Sequence, residues 1–191
     1  MPHPRLLALL LLAPLAACDA GDSLFAEFEA TLQTDGVSEQ LDGEAVYSVV
    51  ETARGPRFVL GLFVGDLIDS DRYDYDFIAF RRDGGRPAVG AYAVVEDPRG
   101  RDAVTATYAD VEDADDAIDA RGPVVRGTDG TLTVTSVDGT GVVTGFFQFD
   151  GEGYRVENRR APLEVSADGR FEARYVTPAT LRSLGVDLLA D

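Results

Sequence analysis

Gly130-Thr-Leu-Thr-Val-Thr-Ser-Val-Asp-Gly-Thr-Gly-Val-Val-Thr-Gly-Phe-Phe-Gln-Phe149 is the stretch that decides the fold class. Two runs rich in Thr, Val and Phe, Thr131–Val137 and Val142–Phe149, flank Asp138-Gly139-Thr140-Gly141. β-Branched and aromatic residues suit a pleated, half-buried surface, and Asp-Gly tolerates the positive φ of a tight hairpin turn. The stretch therefore reads as a β-hairpin. Gly139, Gly141 and Gly145 mimic part of a dinucleotide fingerprint, but no helix follows them, so the hairpin reading stands. In the second strand Phe147 and Phe149 share a face with Val143, whereas Phe146 points the opposite way with Val142 and Thr144. Phe146 is expected to pack in a core beneath a second layer; an exposed contact is the other reading.

The same grammar runs outward along the chain. Seven Asp-Gly pairs, at 35-36, 42-43, 83-84, 129-130, 138-139, 150-151 and 168-169, punctuate it and are read as turns. In Leu24–Gln33, Ala26, Phe28, Ala30 and Leu32 alternate with Glu27, Glu29 and Thr31, which is a half-buried strand. Ala45–Thr52 and Arg57–Gly65 follow, turning at Arg54-Gly55-Pro56. Phe58, Leu60, Leu62 and Val64 line one face of the latter, with Val59 and Phe63 on the other, so this strand is expected to be covered on both sides. Tyr75–Arg81, Ala88–Glu96 and Ala103–Ala109 read as strands, and the last ones fall within Tyr154–Glu157, Leu163–Ala167 and Phe171–Val176. Thr177-Pro178 looks like a helix N-cap followed by proline at the first helical position. Leu181, Leu184 and Leu188 could form its buried stripe, and Gly185 argues that the helix is short. The spacing predicts an all-β fold, an antiparallel barrel or a β-sandwich with a short C-terminal helix.

At the N-terminus, Met1–Arg5 is a short positive start and Leu6–Ala17 an apolar run, together the layout of a secretory signal. The run is too short to span a bilayer as a helix. Cys18, the only cysteine, follows Leu15-Ala16-Ala17. This resembles the lipobox of bacterial lipoproteins, which implies cleavage before Cys18 and lipid on its sulfur and new amino group. The expected organisation is a signal peptide over 1–17, a lipidated cysteine and tether over 18–23, and a single β domain over 24–191. The partner implied is the lipid bilayer, at the periplasmic side or surface of a bacterial envelope. Asp19 resembles an inner-membrane retention signal of enterobacterial lipoproteins, but sorting rules differ between phyla, so both membranes stay open.

The hairpin at 130–149 also resembles one that recurs in uncharacterised β-rich lipoproteins of the Bacteroidota and their relatives. Those chains pair a "G-T-hydrophobic-T-hydrophobic-T" strand with a "V-x-G-x-F-x-F" strand. Arg86-Pro-Ala-Val-Gly-Ala-Tyr92 is similar to their "P-x-x-G-x-Y" strand, and Thr107-Tyr108 to a later edge. The chain departs from the pattern at Phe146, where a small hydroxyl residue is usual. The resemblance implies a calycin-like or sandwich-like β domain and carries no activity with it.

Composition removes most enzyme mechanisms. The only histidine, His3, lies in the signal, and the chain contains no lysine and no tryptophan. The mature chain thus lacks an imidazole base, a free thiolate and a lysine for a Schiff base or phosphate loop. A carboxylate-pair hydrolase is the one enzymatic alternative left, and no pair can be chosen among 34 acidic residues. The expectation is a protein without catalytic residues or cofactor. With 34 acidic residues against 17 arginines, the field repels phosphate backbones, so nucleic acid is a poor partner.

Two acidic clusters stand out: Asp66, Asp69, Asp71, Asp74 and Asp76, then Asp110, Glu112, Asp113, Asp115, Asp116 and Asp119. Crowded oxygen ligands suit calcium, which would be held by Asp69, Asp71 and Asp74 or by Asp113, Asp115 and Asp116. Neither cluster has EF-hand spacing, and a solvated, mutually repelling loop is the expected reading. The functional expectation is an envelope-anchored binding module for a small apolar or sugar-like ligand, held in a cavity lined by Phe58, Phe63, Phe77, Phe80 and Phe147. The alternative is a structural or accessory subunit that docks another envelope protein through an exposed patch.

Overall fold

Strands with one apolar face must bury that face, and here they do so by closing into a ring. The structure, a computed structural model, describes residues 26–65, 73–98, 100–114, 123–155 and 158–184. Its elements are β1 (Ala26–Thr34), β2 (Val37–Thr52), β3 (Gly55–Gly65), β4 (Tyr73–Asp83), β5 (Gly90–Val94), β6 (Ala103–Ala114), β7 (Pro123–Val137), β8 (Val142–Arg155), β9 (Asn158–Tyr175) and α1 (Pro178–Ser183). The strands form a closed barrel in the order β1-β2-β3-β4-β6-β5-β7-β8-β9, and β1 pairs with β9 to complete it. Closure removes the free edges that an open sheet would expose. Neighbours are antiparallel except for short parallel contacts of β5 with β6 and of β2 with β9.

The inward-facing row packs as one core. Phe80 lies 5.2 Å from Phe147 and 5.9 Å from Phe149, centroid to centroid, and Tyr47 lies 5.6 Å from Phe58. These are contact distances for aromatic rings, so the rings pack on one another in the barrel interior. A second apolar cluster lies on the outer face, where Val46, Val59, Phe63 and Phe77 pack with Leu181 of α1. The expectation that Arg57–Gly65 is covered on both sides is borne out. Thr177 Oγ1 accepts the Thr180 amide at 3.1 Å and caps α1, with Pro178 in the first turn. Ser48 Oγ donates to the Val176 carbonyl at 2.9 Å, tying the segment before the helix to β2. Leu184 is the C-cap, and Leu188 lies outside the described residues.

The Asp-Gly reading needs correction. Asp35-Gly36 and Asp138-Gly139 do sit in turns and Asp83-Gly84 ends β4, but the pairs at 42-43, 129-130, 150-151 and 168-169 lie inside strands. Leu163–Ala167 and Phe171–Val176 are consequently not separate strands; β9 runs unbroken through Asp168-Gly169. The physical reason is cross-strand packing. Phe28 stands opposite Gly43, Phe149 opposite Gly130 and Phe147 opposite Gly169, as Phe171 does opposite Gly145 outside these pairs, while Gly151 faces Gly127 and Val165 and a Cβ there would lie 2.7 Å from Val125 Cγ1. A small barrel has no room for a large side chain at every inward position, and each of these rings lies over a residue that has none. In all four strand-interior Asp-Gly pairs the aspartate is exposed on the outer face.

Candidate functional site

The expected phenylalanine cavity does not form as one wall. Phe58, Phe80 and Phe147 point inward, whereas Phe63 and Phe77 are cross-strand partners on the outer face near α1. Phe146 also departs from expectation: it is on the outer surface, 52% exposed, between Thr133 of β7 and Arg170 of β9. The helix that covers an outer face lies over β2 and β3, away from Phe146.

The described ends of the two acidic clusters lie on neighbouring strands. Tyr73 of β4 pairs with Ala114 of β6, and Asp76 stands opposite Asp110. Tyr108 donates to Asp76 Oδ1 at 2.7 Å. Burial, followed by that hydrogen bond and the Asp76 charge, pushes the Tyr108 phenol well above its ordinary value, so it stays protonated and a donor. Asp69, Asp71, Asp115 and Asp116 lie outside the described residues, and for Asp74 and Asp113 only the backbone is described. Among the described residues no group of three or more acidic, histidine or cysteine side chains is placed to hold a metal.

The opposite end of β4 carries a site that the sequence reading missed. Here the barrel wall forks. Thr107–Ala109 of β6 pair with β7, but Ala103 and Val104 pair with β5, which also pairs with Thr131–Val134 of β7. β5 is thus wedged between β6 and β7, and the fork opens beside Ala106 and Gly127. Gly127 is needed there, because a Cβ at that position would lie 2.8 Å from Val94 Cγ1 and 2.9 Å from Ala106 Cβ. A pocket of about 230 Å³ occupies the outer side of the fork. Its walls carry Arg54, Arg57, Arg81, Arg82 and Arg126, together with the Thr105 and Thr107 hydroxyls.

Strand register explains why these residues meet. Arg81 is the cross-strand partner of Thr105, and Thr107 that of Arg126. Arg81 Nη1 reaches Thr107 Oγ1 at 3.5 Å. Arg57 comes from β3 and holds Asp83 at 3.6 Å. Arg81 and Arg82 are buried, with 7% and 8% exposure. Arg82 is held in place by protein groups: Nε donates to the Arg101 carbonyl at 2.7 Å, Nη1 to the Gly85 carbonyl at 2.9 Å, and the guanidinium lies 5.0 Å from the Tyr92 ring centre. Such a residue is a fixed source of positive charge.

Five of the chain's 17 basic residues therefore line one small pocket, with three acids, Asp83, Glu96 and Asp97, in the same lining and Glu152 of β8 directly opposite Arg126. The site is rich in charge of both signs. Two wider grooves, of about 690 and 600 Å³, cross the outer face; Phe146 lies in the first, and the second runs past Asp35, Asp150 and Glu152. Neither concentrates one sign of charge on buried side chains as the fork does. Comparison of the chain with protein-family models, with curated proteins and with solved structures finds no match.

Proposed function

We propose that this protein is an envelope-anchored, non-catalytic binding module, tethered to the bilayer through acylated Cys18, whose small ligand sits in the arginine-lined pocket at the fork of the barrel wall. The observation that carries the reading is the buried Arg81 in a small concave site that Arg54, Arg57 and Arg126 and the Thr105 and Thr107 hydroxyls also line. Hydrophobic residues of similar bulk would fill such a space at lower cost in lost hydration than a guanidinium, even one with protein partners. Polar groups converging on a small concave site are what ligand recognition requires. The ligand expectation, apolar or sugar-like from the sequence, thereby narrows to a polar group.

Ligand-observed NMR on the mature chain, with sugars, amino acids, organic acids, phosphate esters and fatty acids, tests the site. Val95 lines the pocket and is half-buried, so Val95→Trp should block it. Binding of any one class that Val95→Trp abolishes supports the reading; binding that this variant leaves intact places the ligand elsewhere. The accessory-subunit reading is favoured by one observation, the exposed ring of Phe146. On that reading Phe146→Ser would lose a partner protein from native membranes while leaving ligand binding unchanged.

A further inference from the structure

We infer that the outer groove beside Phe146 is a second binding site, for a neutral glycan chain laid across the strands. The groove shares no lining residue with the fork pocket, and the inference does not depend on that pocket.

Strand register builds the groove. Thr133, Phe146, Arg170 and Glu29 are successive cross-strand partners and make one row on the outer face. Thr131, Gln148, Asp168, Thr31 and Gln40 make a second row, two residues or about 7 Å further along the strands. Between the rows, Ala30 and Phe147 point into the core and Gly169 has no side chain, so backbone forms the floor. The resulting trough of about 690 Å³ crosses five strands, from β7 to β2, which is roughly 19 Å at the spacing of neighbouring strands. A trough of that length on an outer face suits a chain better than one compact molecule.

Its chemistry suits a sugar. Phe146 is 52% exposed, and no other ring stacks on it among the described residues. Beside it, the Thr131 and Thr133 hydroxyls, the Gln148 amide and the Asp168 carboxylate make no side-chain hydrogen bond or ion pair among the described residues. The groove thus offers one flat apolar face and, next to it, a run of donors and acceptors with unused capacity. A pyranose ring has the matching surfaces: a face of C–H groups, and a rim of hydroxyls that each donate and accept.

Charge makes the glycan neutral. Arg170 Nε holds Glu29 Oε2 at 3.0 Å, and Asp168 leaves the lining with one net negative charge on a chain at −17. An acidic polysaccharide would be repelled. In a chain of which 27% is charged, β7 and β8 supply only uncharged residues to the two rows, which continue onto Ala91 and Ala93 of β5. A protein partner fits less well. Stable protein contacts bury about 800 Å² on each side around clustered aromatic anchors, and here a single ring stands among hydroxyls and amides.

Isothermal titration calorimetry on the mature protein tests the site with cellohexaose, xylohexaose, mannohexaose and maltohexaose, each beside its disaccharide, and with hexagalacturonate as the acidic counterpart. Phe146→Ser and Gln148→Ala take the ring and the amide from the groove. Tyr154→Ser removes an exposed ring elsewhere on β8, and Val95→Trp blocks the fork pocket. Circular dichroism checks that each variant is folded, and Gln148→Ala carries the test if Phe146→Ser does not fold. The expected result is saturable binding of at least one neutral hexasaccharide, with its disaccharide about tenfold weaker or more and no heat from hexagalacturonate. Phe146→Ser and Gln148→Ala should each weaken that binding by about fivefold to tenfold, the scale of one ring contact or one hydrogen bond, while Tyr154→Ser and Val95→Trp leave it unchanged. No binding of any neutral hexasaccharide, hexagalacturonate binding as tightly as they do, or indifference to both groove variants overturns the assignment. Binding that Val95→Trp abolishes moves the glycan to the fork pocket, which overturns the groove site and leaves the pocket reading standing. A protein lost from native membranes on Phe146→Ser, with no hexasaccharide bound, assigns the ring to a protein contact instead.

Discussion

Gly145→Ala should destabilise the barrel although alanine is the smallest possible addition. Gly145 sits inside β8 opposite Val134 of β7 and Phe171 of β9. A Cβ there would fall well inside van der Waals contact of the Thr133 carbonyl oxygen and 2.8 Å from Phe171 Cζ. The phenyl ring could turn aside at the expense of its packing, but the carbonyl belongs to the β7–β8 ladder and cannot move without disturbing it. Overpacking of this kind costs about 1–3 kcal/mol, and a clash with backbone belongs at the upper end. The lower entropy of the unfolded alanine chain returns roughly 0.4–1 kcal/mol, so the net loss is about 2 kcal/mol. At ~2–4 °C per kcal/mol for a domain of this size, the melting temperature should fall by roughly 4–8 °C. Gly139→Ala is the paired control. Gly139 has no atom within 4 Å of where its Cβ would be, and its φ is not positive, so only the unfolded-state gain remains and this variant should melt slightly higher. Thermal melts followed by circular dichroism read both. Gly145→Ala melting at or above wild type, or both variants shifting in the same direction, would refute the account of glycine as space for cross-strand rings.

The other predictions concern charge and anchoring. Asp138 Oδ1 accepts the Val142 amide at 2.8 Å and the Thr140 amide at 2.9 Å, and these bonds, Val142 first, hold its carboxyl below the ordinary value of 3.8. A depressed folded-state value means stability that is present above 3.8 and lost as pH falls through the folded value; Asp138→Ala should therefore melt lower than wild type at pH 7, with the gap closing below about pH 4. A gap that persists unchanged to pH 2 would contradict this. Burial raises the Glu44 carboxyl above 4.5, so its ionisation opposes folding once the pH passes that value; Glu44→Gln should melt higher at pH 7 and match wild type near pH 3, and a lower melt at pH 7 would count against it. Cys18→Ser should release the protein from the membrane fraction or leave its precursor uncleaved, whereas unchanged attachment would remove the lipoprotein reading.

Period-two alternation and the Asp138-Gly139 turn made the all-β class legible, because both signals act between residues close in sequence. Helix α1 was legible for the same reason: its cap and its first proline are adjacent at 177 and 178. The four strand-interior Asp-Gly pairs were not. A dipeptide that tolerates a turn is read as one when its neighbours across the sheet are unknown, and Gly169 is excused from turning only by Phe147 on β8 and the backbone of Glu29 and Ala30 on β1. Phe146 failed for a related reason. Alternation correctly placed it opposite Phe147, but whether an outward ring is covered depends on where α1 docks, and α1 docks around Leu181 on the far strands.

The fork pocket lay beyond sequence reasoning altogether, and composition pointed away from it. Arg54, Arg57, Arg81, Arg82 and Arg126 span more than seventy positions, and each looks locally like a solvated residue in an acidic chain. Only the ring order β3-β4-β6-β5-β7 makes neighbours of them, and its one departure from sequence order, β5 inserted after β6, is what opens the space they surround. Net charge is a sum over the whole surface, whereas a ligand senses what lies within about a Debye length. A chain at −17 can therefore gather arginines around a pocket at one end of β4 and set Asp76 opposite Asp110 towards the other.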